Sequence, residues 1–290
     1  MKKLIKQAFT LIELLVVIAI IGILSGLIVI SMSGVTNKAN IAKAQVFSNS
    51  LRNSLMLNLV SEWKFDELTT ASNGTAIIDS WSGNTGTLIT DNTTTEKLSS
   101  DCISGKCLRL DGTGDYISFS FVPGVVTTEN YTIGTWIKKT VSSSGTVINI
   151  SNSSSNRNGI TFTANRVACG LYNTAYIRFI STFDISLNVW HYITCVNRST
   201  VLVLYIDGVI ATTEVGGLGL AGSQNYIGYN SNDPSYFNGF IDDVRIYNTA
   251  IPTSQIKEQY YAGLNKLLTN GEITEEEYSQ RIEGMRISKY

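Results

Sequence analysis

The chain has 290 residues, with 22 Lys and Arg against 23 Asp and Glu, and a formal net charge of −1. That length allows one or two globular domains, and the absence of a basic excess argues against nucleic acid as a partner. Charged residues make up only 16% of the chain, so we expect its exposed faces to rely on hydroxyl and amide groups, as extracellular β-proteins often do.

The first predicted element is a long helix that begins in an apolar stretch near the N-terminus. Lys2, Lys3 and Lys6 precede the apolar stretch, and residues 14–30 carry no charge. A helix of that length is about long enough to cross a bilayer, and the lysines ahead of it favour a cytoplasmic N-terminus. A cleaved secretory signal has a shorter apolar core of ~7–15 residues. We therefore expect an anchor in the inner membrane, with the rest of the chain outside the cytoplasm.

The stretch KQAFTLIELLVVIAIIGIL, which begins at Lys6, resembles the N-terminus of type IV pilins and pseudopilins. The resemblance implies a leader of residues 1–8, a prepilin peptidase that cuts between Ala8 and Phe9, and N-methylation of Phe9. Ala8 departs from the family pattern, in which glycine usually precedes the cut. The resemblance also implies that the helix, predicted over residues 9–60, packs with other pilin subunits in a homo-oligomeric filament.

Glu13 lies inside the apolar stretch, where an unpaired carboxylate is costly. The pilin resemblance gives it a role, because the Glu13 of one subunit can meet the new α-amine of a neighbour's Phe9 and set the axial register of the filament. Gly22 and Gly26 form a GxxxG pair that permits close helix approach, although glycine is also common in such helices. The predicted assembly residues are Glu13, Gly22 and Gly26.

Residues 61–250 read as short alternating strands separated by Gly, Asn, Asp and Ser. The stretch VLVLYIDGVIA predicts a hairpin, with Asp207 and Gly208 in a type I′ turn. Because the sequence shows no βαβ alternation, an antiparallel β-sandwich is favoured.

The order of several short motifs makes this region resemble the laminin-G-like, concanavalin A-like jelly roll. They are EWKFDE, DSWSGNTGTL, CLRLDGTGDYISF, YTIGTWIKK, VWHYITCV, LVLYIDGV, NYIGYN and FNGFIDDVRIYNTAI. The fold class is therefore predicted to be α+β: a long N-terminal α-helix, a jelly-roll sandwich and short C-terminal helices. The resemblance implies binding of glycans or extracellular proteins, and in many members a structural calcium ion.

The strand pattern directs some carboxylates inward. With unbroken alternation, Asp242 shares a face with Phe240 and Val244, and Glu67 shares the face of Trp63. Inward carboxylates need hydrogen bonds, an Arg partner or a cation, and calcium is held by carboxylate, amide and carbonyl oxygens. The candidate calcium ligands are Glu67, Asp79, Asn84 and Asp242.

A ligand-binding region is predicted near the end of the sandwich. Aromatic rings stack on sugar faces, while amides and carboxylates bond sugar hydroxyls. The candidate ligand-binding residues are Tyr229, Asn230, Asn232, Asp233 and Tyr236. The alternative is that these aromatic side chains belong to the core or its rim.

The four cysteines, Cys102, Cys107, Cys169 and Cys195, contain no CxxC pair, which weakens a zinc or redox interpretation. In an exported domain two disulfides are plausible. CISGKC would close as a small loop and leave Cys169 to pair with Cys195, although three connectivities and four buried thiols all remain open.

Catalysis is not expected. The sequence has no nucleophile elbow, phosphate loop or HExxH motif, and no acidic pair stands out for glycoside hydrolysis. The single histidine, His191, lies in a strand-like run and is predicted to be structural.

Residues 251–290 predict a helical tail. The stretch TSQIKEQYYAGLNKLL follows Pro252 and predicts a helix that closes the sandwich. Thr274 with Glu277 fits a capping box at the start of a second short helix. The tail is charged, so we expect it to be mostly exposed.

Together these patterns predict a pilin-like subunit whose helix anchors it in the membrane and then packs in a filament, with the sandwich displayed at the cell surface for adhesion or recognition. Two alternatives are a non-filamentous, membrane-anchored adhesin or receptor, and a pseudopilin of a type II secretion-like system.

Overall fold

The structure is a computed structural model of the chain. It describes residues 11–12, 14–23, 46, 56–69, 71–91, 95–97, 101–120, 130–153, 156–172, 177–181, 183–199, 201–215, 224–231 and 234–287. The chain divides into two units, Met1–Phe47 and Ser48–Tyr290.

In the first unit, residues 11–12 and 14–23 are helical. Their apolar side chains are exposed, from 82% for Leu11 to 45% for Val17. Within the described part of the chain, no helix combines the length and the apolar character that a membrane span requires. Gly22 lies in this helical segment. The predicted residues Ala8, Phe9, Glu13 and Gly26 lie outside the described residues.

The predicted N-terminal helix differs from the structure at its end. Met56–Asn58 forms a 3-10 helix, and the chain is already extended from Leu59. The reason is tertiary: Leu59 pairs with Tyr247, and the strand that begins there carries the fully buried Trp63 into the core.

The described part of the second unit contains eighteen strands and two α-helices. The strands are β1 (Leu59–Trp63), β2 (Ala76–Ile77), β3 (Gly86–Ile89), β4 (Thr95–Lys97), β5 (Cys107–Asp111), β6 (Tyr116–Phe119), β7 (Asn130–Lys139), β8 (Gly145–Ser153), β9 (Asn156–Thr163), β10 (Arg166–Tyr172), β11 (Ile177–Ile180), β12 (Trp190–Arg198), β13 (Val201–Ile206), β14 (Val209–Val215), β15 (Gln224–Ile227), β16 (Tyr229–Asn230), β17 (Ser235–Tyr236) and β18 (Asn238–Tyr247). The helices are α1 (Thr253–Asn270) and α2 (Glu275–Ile287).

The strands form the two layers of an antiparallel sandwich. The first sheet has the order β14-β13-β12-β7-β18-β5-β4, with β1 also paired to β18. The second sheet has the order β11-β10-β9-β8-β15-β6-β3-β2, and the β16–β17 hairpin joins it at β8 through a parallel bridge. Buried side chains from both sheets, such as Ile133 and Ile193 from the first and Ile117 and Ile148 from the second, form one core cluster. The predicted sandwich is confirmed.

The β13–β14 hairpin has the predicted turn. Asp207 and Gly208 both have positive φ, 53° and 76°, as a type I′ turn requires. Asp207 also holds the neighbouring strand, because its Oδ1 accepts the Tyr192 N–H at 2.8 Å and its Oδ2 lies 2.7 Å from His191 Nδ1. His191 therefore has a structural contact, as its place in a strand-like run predicts.

Helix α1 covers the outer face of the first sheet, so it closes the sandwich as predicted, but the expectation of a mostly exposed tail is wrong for this helix. Its Tyr260 and Leu264 are buried in a second apolar cluster. The Trp136 and Tyr260 rings stack at 5.5 Å with an interplanar angle of 18°. At Gly263 the helix comes so close that an added Cβ would lie 2.1 Å from the Trp136 ring. The charges that predicted exposure occupy one face of α1, while its other face is apolar.

Strand β18 contains a bulge that the alternation rule did not anticipate. Asp243 has a φ of 50°, and the pairing with β7 shifts register between Asp242 and Arg245. As a result Ile241 and Val244 both belong to the sandwich core. The prediction that Asp242 shares a face with Val244 is therefore wrong, because the extra residue reverses the alternation.

Disulfide bonds join Cys102 to Cys107 and Cys169 to Cys195, with Cα separations of 5.5 Å and 5.9 Å. Of the three possible connectivities, this is the one that the small CISGKC loop favours. Cys169 lies on β10 of the second sheet and Cys195 on β12 of the first, so the second bond links the two layers across the core.

Candidate functional site

A polar cleft of about 660 Å³ lies in the sandwich unit. Its walls come from the turn after β5, the β7–β8 connection, strand β9 and the β16–β17 hairpin. Hydroxyl, amide and carboxylate groups dominate the lining, which includes Asp111, Thr113, Ser144, Thr146, Asn230, Ser235, Tyr236 and Asn238. Such a lining presents several hydrogen-bond donors and acceptors to one small polar ligand.

Hydrogen bonds hold the cleft walls together. Asn238, the first residue of β18, donates from Nδ2 to the Asp111 carbonyl and accepts the Thr140 hydroxyl at 2.5 Å. Thr146 Oγ1 and Ser235 Oγ are 2.9 Å apart and join β8 to the hairpin. Gly112 has a φ of 89°, and an added Cβ would lie 2.9 Å from Asn238, so only glycine allows this close approach.

Four tyrosines form a cluster beside the cleft. Tyr229 stacks on Tyr236 at 4.6 Å and on Tyr116 at 4.8 Å, and Tyr226 meets Tyr229 edge to face at 5.4 Å. All four side chains are half-buried. Burial, reinforced by the neighbouring tyrosines, raises the pKa of Tyr116 and of Tyr229. Because Tyr236 also lines the cleft, the tyrosine cluster and the cleft are continuous.

The cluster includes part of the predicted ligand-binding region. Tyr229 and Tyr236 belong to it, and Asn230, 8% exposed, lines the cleft. The predicted residues Asn232 and Asp233 lie outside the described residues.

Sequence reasoning did not single out Tyr116 and Tyr226. Each precedes a core isoleucine, Ile117 or Ile227. Strand alternation therefore places both tyrosines on the outer face of the second sheet. That signal was present in DYISF and NYIGY, but pairing of β6 with β15 was needed to bring the two rings together.

Among the predicted calcium ligands, Asp79 accepts hydrogen bonds from protein groups on both of its carboxylate oxygens. Its Oδ1 accepts N–H groups from Glu62 at 3.0 Å and Trp81 at 2.8 Å. Its Oδ2 accepts the Ser82 hydroxyl at 2.8 Å and the Asn84 N–H at 3.2 Å. These hydrogen bonds satisfy the buried carboxylate of Asp79, so it does not need a cation.

The other two predicted acidic ligands, Glu67 and Asp242, differ from each other in burial and in hydrogen-bond partners. Glu67 is exposed and accepts the Ile78 N–H at 2.9 Å, so its predicted inward orientation is wrong: Phe65 has a φ of 62° and ends the alternation. Asp242 is fully buried and accepts the Ile103 N–H at 3.0 Å. Burial, followed by the charge of Asp243, raises the pKa of Asp242 well above its usual range.

The structure brings a different acidic group together. In the described part of the chain, the acidic side chains close enough to share one ion are Asp91, Asp111 and Asp115, whose ligand atoms all lie within 4.8 Å of one another. Glu67, Asp79 and Asp242 form no such group there. Asp111 belongs to both this acidic group and the cleft wall.

Two family models match the chain. One, the prokaryotic N-terminal methylation motif, matches residues 5–29. The other, the concanavalin A-like lectin/glucanases superfamily, matches residues 111–257, which is just over half of the chain. No curated protein matches the chain.

Several solved structures share the fold. Domain 4 of AbnA, a GH43 extracellular arabinanase from Geobacillus stearothermophilus, in complex with arabinotriose, has 20% identity and a TM-score of 0.58, over 69% of this chain and 97% of that one. The binding domain of Paraclostridial Mosquitocidal Protein 1 has 17% identity and a TM-score of 0.55, over 73% and 53%.

The botulinum neurotoxin serotype G binding domain has 16% identity and a TM-score of 0.55, over 71% of this chain and 51% of that one. The chain thus spans about half the length of both toxin domains. The matches to its sequence and to its fold agree: the chain belongs to the concanavalin A-like lectin/glucanases superfamily and carries a prokaryotic N-terminal methylation motif ahead of that domain.

Proposed function

We propose that this protein is a type IV pilin-like subunit that displays a carbohydrate-binding β-sandwich at the cell surface. The observation that carries the proposal is the union, in one chain, of the methylation motif at residues 5–29 and a lectin-like domain with a polar, tyrosine-bordered cleft.

The N-terminal segment supplies anchoring and assembly. A prepilin peptidase cuts between Ala8 and Phe9, and the apolar helix holds the subunit in the inner membrane before it packs with other subunits. The exposed apolar side chains of residues 14–23 support this role, since such a surface is stable only against lipid or other helices. Glu13 pairs with the Phe9 amine of a neighbouring subunit.

The sandwich supplies recognition. Tyrosine rings offer apolar faces for sugar rings, and the hydroxyl and amide groups of Thr113, Asn230 and Ser235 offer partners for sugar hydroxyls. The shared fold with domain 4 of AbnA, which has arabinotriose bound, supports an oligosaccharide as the class of ligand.

Binding without catalysis fits the cleft best. Glycoside hydrolysis generally uses two carboxylates that flank the scissile bond. Among the described residues that line the cleft, Asp111 is the one carboxylate, and its Oδ1 accepts both the N–H and the hydroxyl of Thr113, at 2.7 Å and 3.0 Å.

Processing is tested by mass spectrometry of the N-terminus of the protein made in cells with and without a prepilin peptidase. We expect a chain that begins with N-methylated Phe9 only when the peptidase is present. An intact N-terminus in both cells would refute the pilin part and favour a simple membrane-anchored adhesin. If Phe9 is exposed, imaging of surface filaments then separates a pilin from a pseudopilin of a secretion system.

Recognition is tested on a glycan array with the full chain in detergent. We expect binding that falls with Tyr236→Ala and persists with the control Phe183→Ala, because Phe183 is an exposed aromatic residue, 47% accessible, that does not line the cleft. Equal binding by both variants would exclude the cleft. Binding of no glycan by the wild-type chain would refute the recognition part.

A further inference from the structure

We infer that Asp91, Asp111 and Asp115 form a calcium site at the point where the chain crosses between the two sheets. Strand β5, which ends at Asp111, belongs to the first sheet and β6 belongs to the second, and Asp115 lies in the turn between them. Asp91 follows β3, which pairs with β6 so that Ile89 faces Tyr116. Two separate stretches of chain thus bring three carboxylates to the same point.

The spacing of the carboxylates suits calcium. Calcium–oxygen distances are about 2.3–2.6 Å, so two oxygens that share one ion can be at most about 5 Å apart. The three side chains offer ligand atoms that all lie within 4.8 Å of one another. An ion at their centre can therefore touch all three.

Asp115 supplies an independent reason for a cation. Its side chain is 0% exposed, and its Oδ1 has no hydrogen-bond partner in the structure, while its Oδ2 accepts the Asp111 N–H at 3.3 Å. A buried carboxylate oxygen without a donor is costly. Asp79, also buried, has donors on both oxygens. The difference between the two aspartates is explained if Asp115 binds a cation.

The chemistry of the group selects the ion. Three carboxylates without histidine or cysteine favour a hard cation over zinc. Asp91 is exposed, which leaves room for the water and carbonyl ligands that complete the six to eight of calcium. Magnesium demands a tighter octahedral shell, which suits widely spaced carboxylates less well.

The turn is shaped for close approach of Asp91. Gly114 has a φ of 73°, and an added Cβ would lie 3.3 Å from Asp91 Cγ. Because Asp111 also lines the cleft, the ion would fix one cleft wall. The calcium site itself stands on the three carboxylates and holds whether or not the cleft binds a sugar.

The test uses the full chain in detergent, stripped with a chelator and then titrated with terbium and calcium. Tyr116 directly follows Asp115, so we expect tyrosine-sensitised terbium luminescence that calcium displaces. We also expect calcium to raise the melting temperature, because it binds only the folded state. Asp115→Asn should weaken calcium by about tenfold or more, since affinity follows ligand charge.

Two further variants keep the result decisive. Asp91→Asn changes an exposed residue and tests the same site if Asp115→Asn does not fold. Glu67→Gln removes an exposed carboxylate of the set predicted from sequence and should leave calcium binding unchanged. The inference is overturned if the wild-type chain binds no calcium, if Asp91→Asn binds it as well as wild type, or if Glu67→Gln loses it.

Discussion

Replacement of Arg245 by methionine is expected to destabilise the sandwich strongly at neutral pH. Arg245 Nε lies 2.8 Å from Glu62 Oε1, and its Nη2 lies 3.1 Å from Asp243 Oδ1. The two carboxylate side chains are only 4% and 6% exposed. Arg245→Met would leave both buried and without their main cation, and loss of one partner from a buried pair costs about 3–5 kcal/mol.

Two lysines limit that cost. Lys64 Nζ lies 3.3 Å from Glu62 Oε2, and Lys266 Nζ lies 3.6 Å from Asp243 Oδ2, with side chains 27% and 43% exposed. We therefore expect the loss near the lower end, at about 3 kcal/mol. At about 2–4 °C per kcal/mol for a domain of this size, the melting temperature should fall by about 6–12 °C.

The direction in which pH changes the stability deficit of Arg245→Met follows from the pKa values of Glu62 and Asp243. Burial alone would raise the pKa of Glu62 and of Asp243. The charge and hydrogen bond of Arg245, together with the charges of nearby lysines, outweigh burial, so both pKa values are lowered overall. In the wild type, the lowered pKa values of Glu62 and Asp243 stabilise the folded state fully above the unfolded pKa values of about 4. That stabilisation is lost as the pH falls through the lower pKa values of the folded state. Without Arg245, burial raises the pKa values of Glu62 and Asp243, so both groups bind a proton more readily as the pH falls. The deficit of Arg245→Met should therefore be largest near neutral pH and shrink as the medium is acidified.

Thermal unfolding followed by tryptophan fluorescence, from pH 7 down to pH 4, measures this deficit. The matched control is Arg166→Met, because Arg166 and Asp184 form an exposed pair at 3.3 Å with side chains 58% and 62% accessible. Such pairs contribute about 0–1 kcal/mol. Equal melting temperatures for the two variants at pH 7, or a deficit that grows on acidification, would refute the reasoning.

Three further outcomes are expected. Gly263→Ala should lower the melting temperature, because its Cβ would overlap the Trp136 ring at 2.1 Å, whereas Gly284→Ala in α2 has open space and should be neutral or slightly stabilising by up to about 1 kcal/mol. The double change of Cys169 and Cys195 to serine should lower the unfolding free energy by about 2–4 kcal/mol. Reduced wild type should lose a similar amount if the disulfide bond, and not the cysteine side chains, is the cause. Ala8→Gly, which restores the family pattern, should increase the fraction of subunits cut before Phe9, measured by intact mass; an unchanged fraction would show that Ala8 does not limit processing.

Local rules predict those parts of the fold whose causes are local. The Asp207-Gly208 turn follows from two adjacent residues that tolerate positive φ. Helix α1 begins directly after Pro252, as expected, and Thr274 Oγ1 accepts the Glu277 N–H at 3.1 Å at the start of α2.

The candidate site is predictable only in part. Tyr229 and Tyr236 are close in sequence, so one motif indicates both. Tyr116 joins them because β6 pairs with β15, across a separation that no local pattern encodes. The same holds for Asp91, which meets Asp115 because β3 pairs with β6.

The sequence by itself determined the class of each segment: an apolar, pilin-like N-terminus, a β-rich domain of the concanavalin A-like type and a helical tail. Hydrophobic periodicity, turn residues and the order of motifs can be read from the sequence, because they do not depend on contacts between distant parts of the chain. Tertiary structure decided which carboxylates are satisfied and which are not. The bulge at Asp243 turned Val244 toward the core, backbone donors filled the shell of Asp79, and strand pairing left Asp115 buried with one oxygen unpaired, because hydrogen bonds and burial depend on residues that are distant in the chain.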